Sequence, residues 1–173
     1  MIPYIIPFAF LSVLAIKENT RPSEKLLDNK YIYYLICLFF IIFIGLRYEV
    51  GCDWNQYKLM FNKYNIGLSE MIRLNFTTHH YLHELGHISI TLLSRGNIYL
   101  LNSIYAILFT LPLFYFISSL KRKYFSLLIS YPYYIIVIGM GPIRQAACIS
   151  LLMLSIKLIS QKRHKLHLVL TLF

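Results

Sequence analysis

The side chains capable of chemistry gather in three short segments. The first, residues 45–57, reads GLRYEVGCDWNQY and sets a guanidinium, Arg47, and two carboxylates, Glu49 and Asp53, among Tyr48, Trp54 and Tyr57. A guanidinium grips phosphate oxygens in bidentate fashion, and a carboxylate beside it can take a proton from a hydroxyl. Gly51 permits a sharp backbone turn between them. The second segment, residues 139–147, reads GMGPIRQAA. Pro142 suits a helix start, where its missing N–H costs nothing, so Arg144 and Gln145 fall in the first helical turn. An arginine there opposes the helix macrodipole. The arrangement makes sense when an anion is shared by the guanidinium and the free N–H groups. An interfacial belt of aromatics with snorkelling arginines accounts for either segment taken alone, but such a belt has no use for carboxylates beside the first arginine.

The third segment, His83-Glu84-Leu85-Gly86-His87, satisfies the H-E-x-x-H pattern, with His79 and His80 just before it. On a helix the two imidazoles would share a face and could ligate zinc, leaving Glu84 as general base. A catalytic zinc needs a third protein ligand. No G-x-x-H continuation follows His87, and residues 97–160 hold no Asp or Glu. A membrane zinc protease built on His83, Glu84 and His87 is therefore the alternative enzyme, and the expectation is a chain without metal or cofactor. Cys52 beside Asp53 is a poor nucleophile, because an adjacent carboxylate disfavours the thiolate. Cys37 and Cys148 stand in apolar runs and are expected to pack there.

The elements that must position these groups follow from composition. Of 173 residues, 58% are hydrophobic and 14% charged, against about 25% charged in ordinary soluble domains. Seventeen Lys and Arg against seven Asp and Glu give a net charge of +10, and aromatics reach 16%. Disorder is excluded by the aromatic content, and a water-soluble globule by the bunching of apolar residues. A bilayer-crossing helix needs about 20 apolar residues. Candidate spans lie at 2–16, 31–46, 97–120, 124–140 and 143–159, and another starts at 166–173. That last run of eight residues is too short to cross, so residues 1–173 are expected to form a single membrane domain that continues beyond the given C-terminus. The fold expected is an all-α transmembrane bundle of five to six spans, with one long outer loop at 47–96. Within that loop, the weakly apolar stretch 82–93 is too short and polar to cross and suits an interfacial or re-entrant helix.

Lys and Arg concentrate at 17–30, 121–123 and 161–165. If these loops are cytoplasmic, the N-terminus, the 47–96 loop and the turn before Arg144 all lie outside, with Arg47 and Arg144 at similar depth. Ionisable residues at such positions are functional candidates. The basic balance is thereby explained by topology and anionic lipid. No nucleic-acid arm or finger and no phosphate-binding glycine loop appears, so no nucleic-acid partner is expected.

With these residues in view, GLRYEVGCDWNQY resembles the R-x-x-x-G-x-D-x-x-x-Y signature of the EpsG family, multi-pass membrane proteins similar in role to Wzy-type polysaccharide polymerases. Arg47, Gly51, Asp53 and Tyr57 match it, and Cys52 stands where the family commonly has Thr or Ser. The family's E-x-G-[FY] element resembles Glu84-Leu85-Gly86-His87, with His87 in the aromatic's place, and its I-R-Q element matches Ile143, Arg144 and Gln145. The resemblance runs from about residue 30 to 160.

It implies a polymerase of exopolysaccharide, capsule or O-antigen biosynthesis in the bacterial plasma membrane, with its active face outside. The substrate would be an oligosaccharide carried on a polyprenyl pyrophosphate, and the flippase and chain-length regulator of the same pathway would be partners. Arg47 and Arg144 would stabilise charge on the leaving diphosphate. Asp53 is first choice as base, with Glu84 or Glu49 second. Gln145, Trp54, Tyr57 and Tyr48 are expected to contact substrate, with Trp54 or Tyr57 as a platform for a sugar ring. A non-catalytic transport or assembly subunit for lipid-linked glycans would use the same arginines without chemistry.

Overall fold

The computed structural model describes residues 2–20, 30–51, 54–55, 58, 85–95 and 97–161. Among them every regular element is helical. In chain order these are α1 (Ile2–Thr20), α2 (Lys30–Gly45), α3 (Leu85–Leu93), α4 (Ile98–Ile117), α5 (Lys123–Ser130), which runs on into a π-helical stretch (Tyr131–Ile138), and α6 (Ile143–Ser160). Helices α1, α4 and α6 are long and apolar enough to cross a membrane, while α2 and the run Lys123–Ile138 are apolar but shorter. The chain is an all-α membrane helical protein.

Helix α4 is the centre. It packs most heavily against α6 and α2, and α1 lies against α5. Its N-terminus is fixed locally by Asn97, whose side-chain oxygen accepts from the N–H groups of Tyr99 (2.9 Å) and Leu100 (3.3 Å). That satisfies two of the donors every helix start leaves orphaned. The apolar interior is built from Phe40 and Ile44 of α2, Leu101, Ala106, Phe109 and Leu113 of α4, Tyr124 and Leu127 of α5, and Ile143 and Ala146 of α6, all at most 2% exposed.

Pairwise contacts sort the helix ends into two sets. At one end the Glu18 carboxylate accepts from the N–H groups of Tyr124 (3.3 Å) and Phe125 (3.0 Å). A negative charge there opposes the positive pole of α5, whose N-cap residue Arg122 contributes no side-chain bond. Nearby, the Tyr33 hydroxyl donates to the Phe114 carbonyl at 2.6 Å. Lys157, late in α6, donates to the Tyr115 carbonyl in the last turn of α4 and sits over the Tyr115 ring. A cation at a helix C-terminus is favourable. At the other end Gly45 approaches α4 so closely that a Cβ would lie 3.0 Å from Ser103 Cα. These ties make α4 antiparallel to α2 and parallel to α6.

Helix α3 has nine residues, roughly 14 Å at 1.5 Å per residue. It buries His87, Ile90 and Thr91 and touches α4. Its nine described residues are by themselves too few to cross a membrane. Cys37 is buried as a packing residue, whereas Cys148, expected to pack, is exposed.

Candidate functional site

The segment that leaves α2 folds back across the end of the bundle. Arg47 is 4% exposed, and its Nη1 donates to the carbonyls of Met140 and, at 3.4 Å, Gly141. These carbonyls follow the π-helical stretch, at the negative pole of the run that began with α5. The last carbonyls of a helix lack intrahelical donors and carry partial negative charge, so a buried guanidinium is stabilised there by charge as well as by hydrogen bonds. Burying a cation without such partners would cost several kcal/mol.

Four residues on, Gly51 has φ +106°, a left-handed conformation that an L side chain resists. A Cβ at this position would fall inside the van der Waals envelope of the Met140 carbonyl oxygen, 3.2 Å from its carbon and 3.3 Å from Gly141 Cα. Arg47 and Gly51 thus hold the same peptide, one through its oxygen and the other by close approach. The spacing R-x-x-x-G is what lets one turn of chain do both.

Between them Glu49 also takes a positive φ, +50°, and is exposed. Its carboxylate accepts a hydrogen bond from the Tyr48 phenol, which pushes the Tyr48 ionisation above its ordinary value. Tyr48 is 61% exposed and stands edge-on to Trp54, ring centroids 5.9 Å apart. Trp54 is 5% exposed, and its backbone N–H donates to the Gly51 carbonyl at 3.3 Å. Of the aromatic residues expected around the site, Tyr48 offers its ring to the surface and Trp54 supports it from beneath.

The Met140–Gly141 turn leads directly into α6. Pro142 is the N-cap and brings no side-chain acceptor to the first-turn N–H groups. Arg144 is half-buried and Gln145 exposed. Arg47 and Arg144, distant in sequence, therefore stand at the same end of the bundle, one fastened to the turn and the other just beyond it. Asp53, Tyr57, Glu84 and His83 lie outside the described residues.

Elsewhere on α4, α3 brings His87 (8% exposed) against Tyr105 (4% exposed). The His87 Nδ1 and Tyr105 Oη atoms are 2.7 Å apart and the rings stack. His87 occupies the position where the middle sequence element departs from an aromatic, and here it does an aromatic's stacking while adding a hydrogen bond. Among the described residues no cluster of three or more His, Cys, Asp or Glu could hold a metal ion. Two buried polar residues of α4 near this end escape a motif-based reading. Tyr105 looks like belt aromatic in sequence, and Asn102 is a lone amide in an apolar run. That isolation was the one signal available for it, since a polar group inside a span is rarely idle.

No curated protein and no solved structure matches the chain. A family model described as the EpsG family does match, over residues 30–173. The match takes in α2, the Arg47–Gly51 segment, the α3–α4 pair and the Gly141–Pro142 turn with α6, and by it the chain belongs to the EpsG family.

Proposed function

We propose that this protein is a membrane polymerase that joins oligosaccharide repeat units carried on polyprenyl pyrophosphate, working at the outer face of a bacterial plasma membrane in exopolysaccharide, capsule or O-antigen assembly. Family membership supports a polysaccharide role of the Wzy-like kind. The observation that carries the reading is the clamp of Arg47 and Gly51 on the Met140–Gly141 peptide, immediately before the N-terminus of α6 that bears Arg144.

In the reaction, an acceptor hydroxyl oxygen attacks the anomeric carbon of the donor sugar. The bond from that carbon to the diphosphate oxygen breaks, polyprenyl diphosphate leaves, and the hydroxyl proton passes to a carboxylate. Charge builds on the leaving oxygens. A guanidinium and oriented N–H groups already in place there stabilise the transition state more than the ground state. Arg144 with the first turn of α6 is assigned this task, and Arg47 fixes the turn and adds its positive potential. Asp53 is the preferred base, with Glu84 or Glu49 next. Tyr48, exposed and in edge-on contact with Trp54, gives a sugar ring a flat apolar face, and Gln145, exposed in the first turn of α6, is assigned to bond its hydroxyls. The flippase that delivers the lipid-linked unit and the regulator of chain length are the natural neighbours.

The test is polymer length, assayed with the full-length protein and a lipid-linked repeat unit. Arg144→Lys keeps the charge but loses the planar fork, and is expected to abolish most polymer while leaving membrane insertion intact. Normal polymer length in that variant would remove Arg144 from the site.

A further inference from the structure

Asn102 is 1% exposed, and among the described residues no group accepts a hydrogen bond from its Nδ2. A buried amide donor without an acceptor has given up its hydration for nothing, and in a native fold such an exception needs a reason. Two independent geometric facts locate it. Asn102, Phe109 and Leu113 fall on one stripe of α4, being seven and eleven residues apart at 3.6 residues per turn. Phe109 on that stripe meets Gly139, where a Cβ would come 2.8 Å from the ring. Asn102 therefore lies two turns nearer the end of the bundle that holds the 139–142 turn, facing the same way. In addition, Lys157, late in α6, reaches the Tyr115 carbonyl, late in α4, so the two helices run parallel and their N-terminal turns, which hold Asn102 and Arg144, lie at the same end of the bundle. On its other side the neighbouring Ser103 is where Gly45 makes its close approach, two residues before Arg47.

We propose that Asn102 is a further binding residue of this site, donating from Nδ2 to an oxygen of a bound diphosphate. The proposal rests on the function argued above, which supplies the diphosphate as the ligand class. An amide suits the position, because it adds a donor without adding a third cation beside Arg47 and Arg144, and it can orient an oxygen through a fixed N–H direction. The donor is buried, so a diphosphate oxygen reaches it by displacing the side chains that cover it, while the turn held by Arg47 and Gly51 stays in place. The unsatisfied donor is then a stability cost retained for binding, a trade-off common at functional sites.

The experiment uses the full-length protein in detergent micelles, with farnesyl diphosphate as probe and farnesol and inorganic pyrophosphate as controls, read by calorimetry beside thermal unfolding. Asn102→Leu, nearly isosteric and apolar, is expected to weaken farnesyl diphosphate binding about ten- to hundredfold, the worth of one hydrogen bond to a charged acceptor, with Tm unchanged or raised. Farnesol binding should not change, and pyrophosphate should weaken in parallel with the lipid diphosphate. Wild-type affinity in Asn102→Leu overturns the role of Asn102 and leaves the polymerase reading standing. Failure of the wild-type protein to bind any diphosphate overturns both. Should Asn102→Leu not fold, Asn102→Ser replaces it under the same criteria. A lowered Tm with unaltered affinity makes Asn102 structural and refutes the inference.

Discussion

Gly51→Ala isolates the contact that joins the two arginine segments. Two penalties act together. With φ at +106°, an alanine is held in a region costing about 1–3 kcal/mol for an L residue. The new methyl also collides with the Met140 carbonyl, a backbone group that cannot rotate aside as a side-chain tip would. Relief requires the 47–51 segment to lift from the turn, and lifting it stretches the bonds from Arg47 to Met140 and Gly141, worth about 1.5–3 kcal/mol for a charged donor. The sum is roughly 2.5–6 kcal/mol, which by the scaling of soluble domains of this size lowers Tm by on the order of 5–24 °C. Gly139→Ala is the internal control. It too is crowded, but by the ring of Phe109, with φ at an ordinary −67°, so only the contact penalty applies and the loss should be smaller. The assay is thermal unfolding of the purified full-length protein in detergent, with polymer length in cells as the second readout. If Gly51→Ala melts with the wild type and makes polymer of normal length, the clamp does not exist and the assembly of the site around it is wrong.

Two further perturbations probe the supports of the site and of the opposite end. Tyr105→Phe and His87→Phe should each destabilise by about 1–3 kcal/mol, because each removes a buried hydrogen-bond partner. A double-mutant cycle should return a coupling of about 0.5–1.5 kcal/mol for the His87–Tyr105 bond, and additivity would show that the 2.7 Å approach carries no energy. Glu18→Ala removes the acceptor for the N–H groups of Tyr124 and Phe125 and should cost about 1 kcal/mol of stability without changing polymer length. Loss of polymer there at unchanged stability would place function at the wrong end of the bundle.

How much of this was readable in the sequence depended on range. Helices announce themselves locally. Apolar runs of spanning length, basic residues between them, Asn97 at a helix start and the Gly141–Pro142 break are each decided within a few residues, and the all-α fold follows from them. The site was legible as two segments, since Arg47 with Gly51 and Arg144 with Gln145 are spacings that chemistry singles out. Topology predicted that they share an end. What no local pattern holds is the acceptor of Arg47. The carbonyls of Met140 and Gly141 belong to every residue type equally, so nothing in their side chains marks them as partners of a guanidinium 93 and 94 positions away.

The same blindness explains Trp54 and Asn102. An indole next to tyrosines shows its burial and its edge-on contact with Tyr48 only once the segment is folded, and a lone amide in an apolar helix has no visible neighbours until α2 and α6 are packed against α4. Gly51 shows the converse. Its φ and its approach to Met140 are tertiary facts, yet the sequence carried their trace as a glycine at a fixed distance from an arginine. A residue whose only virtue is the absence of a side chain is informative because something else must occupy the space, and here that something is the peptide that opens the helix of Arg144.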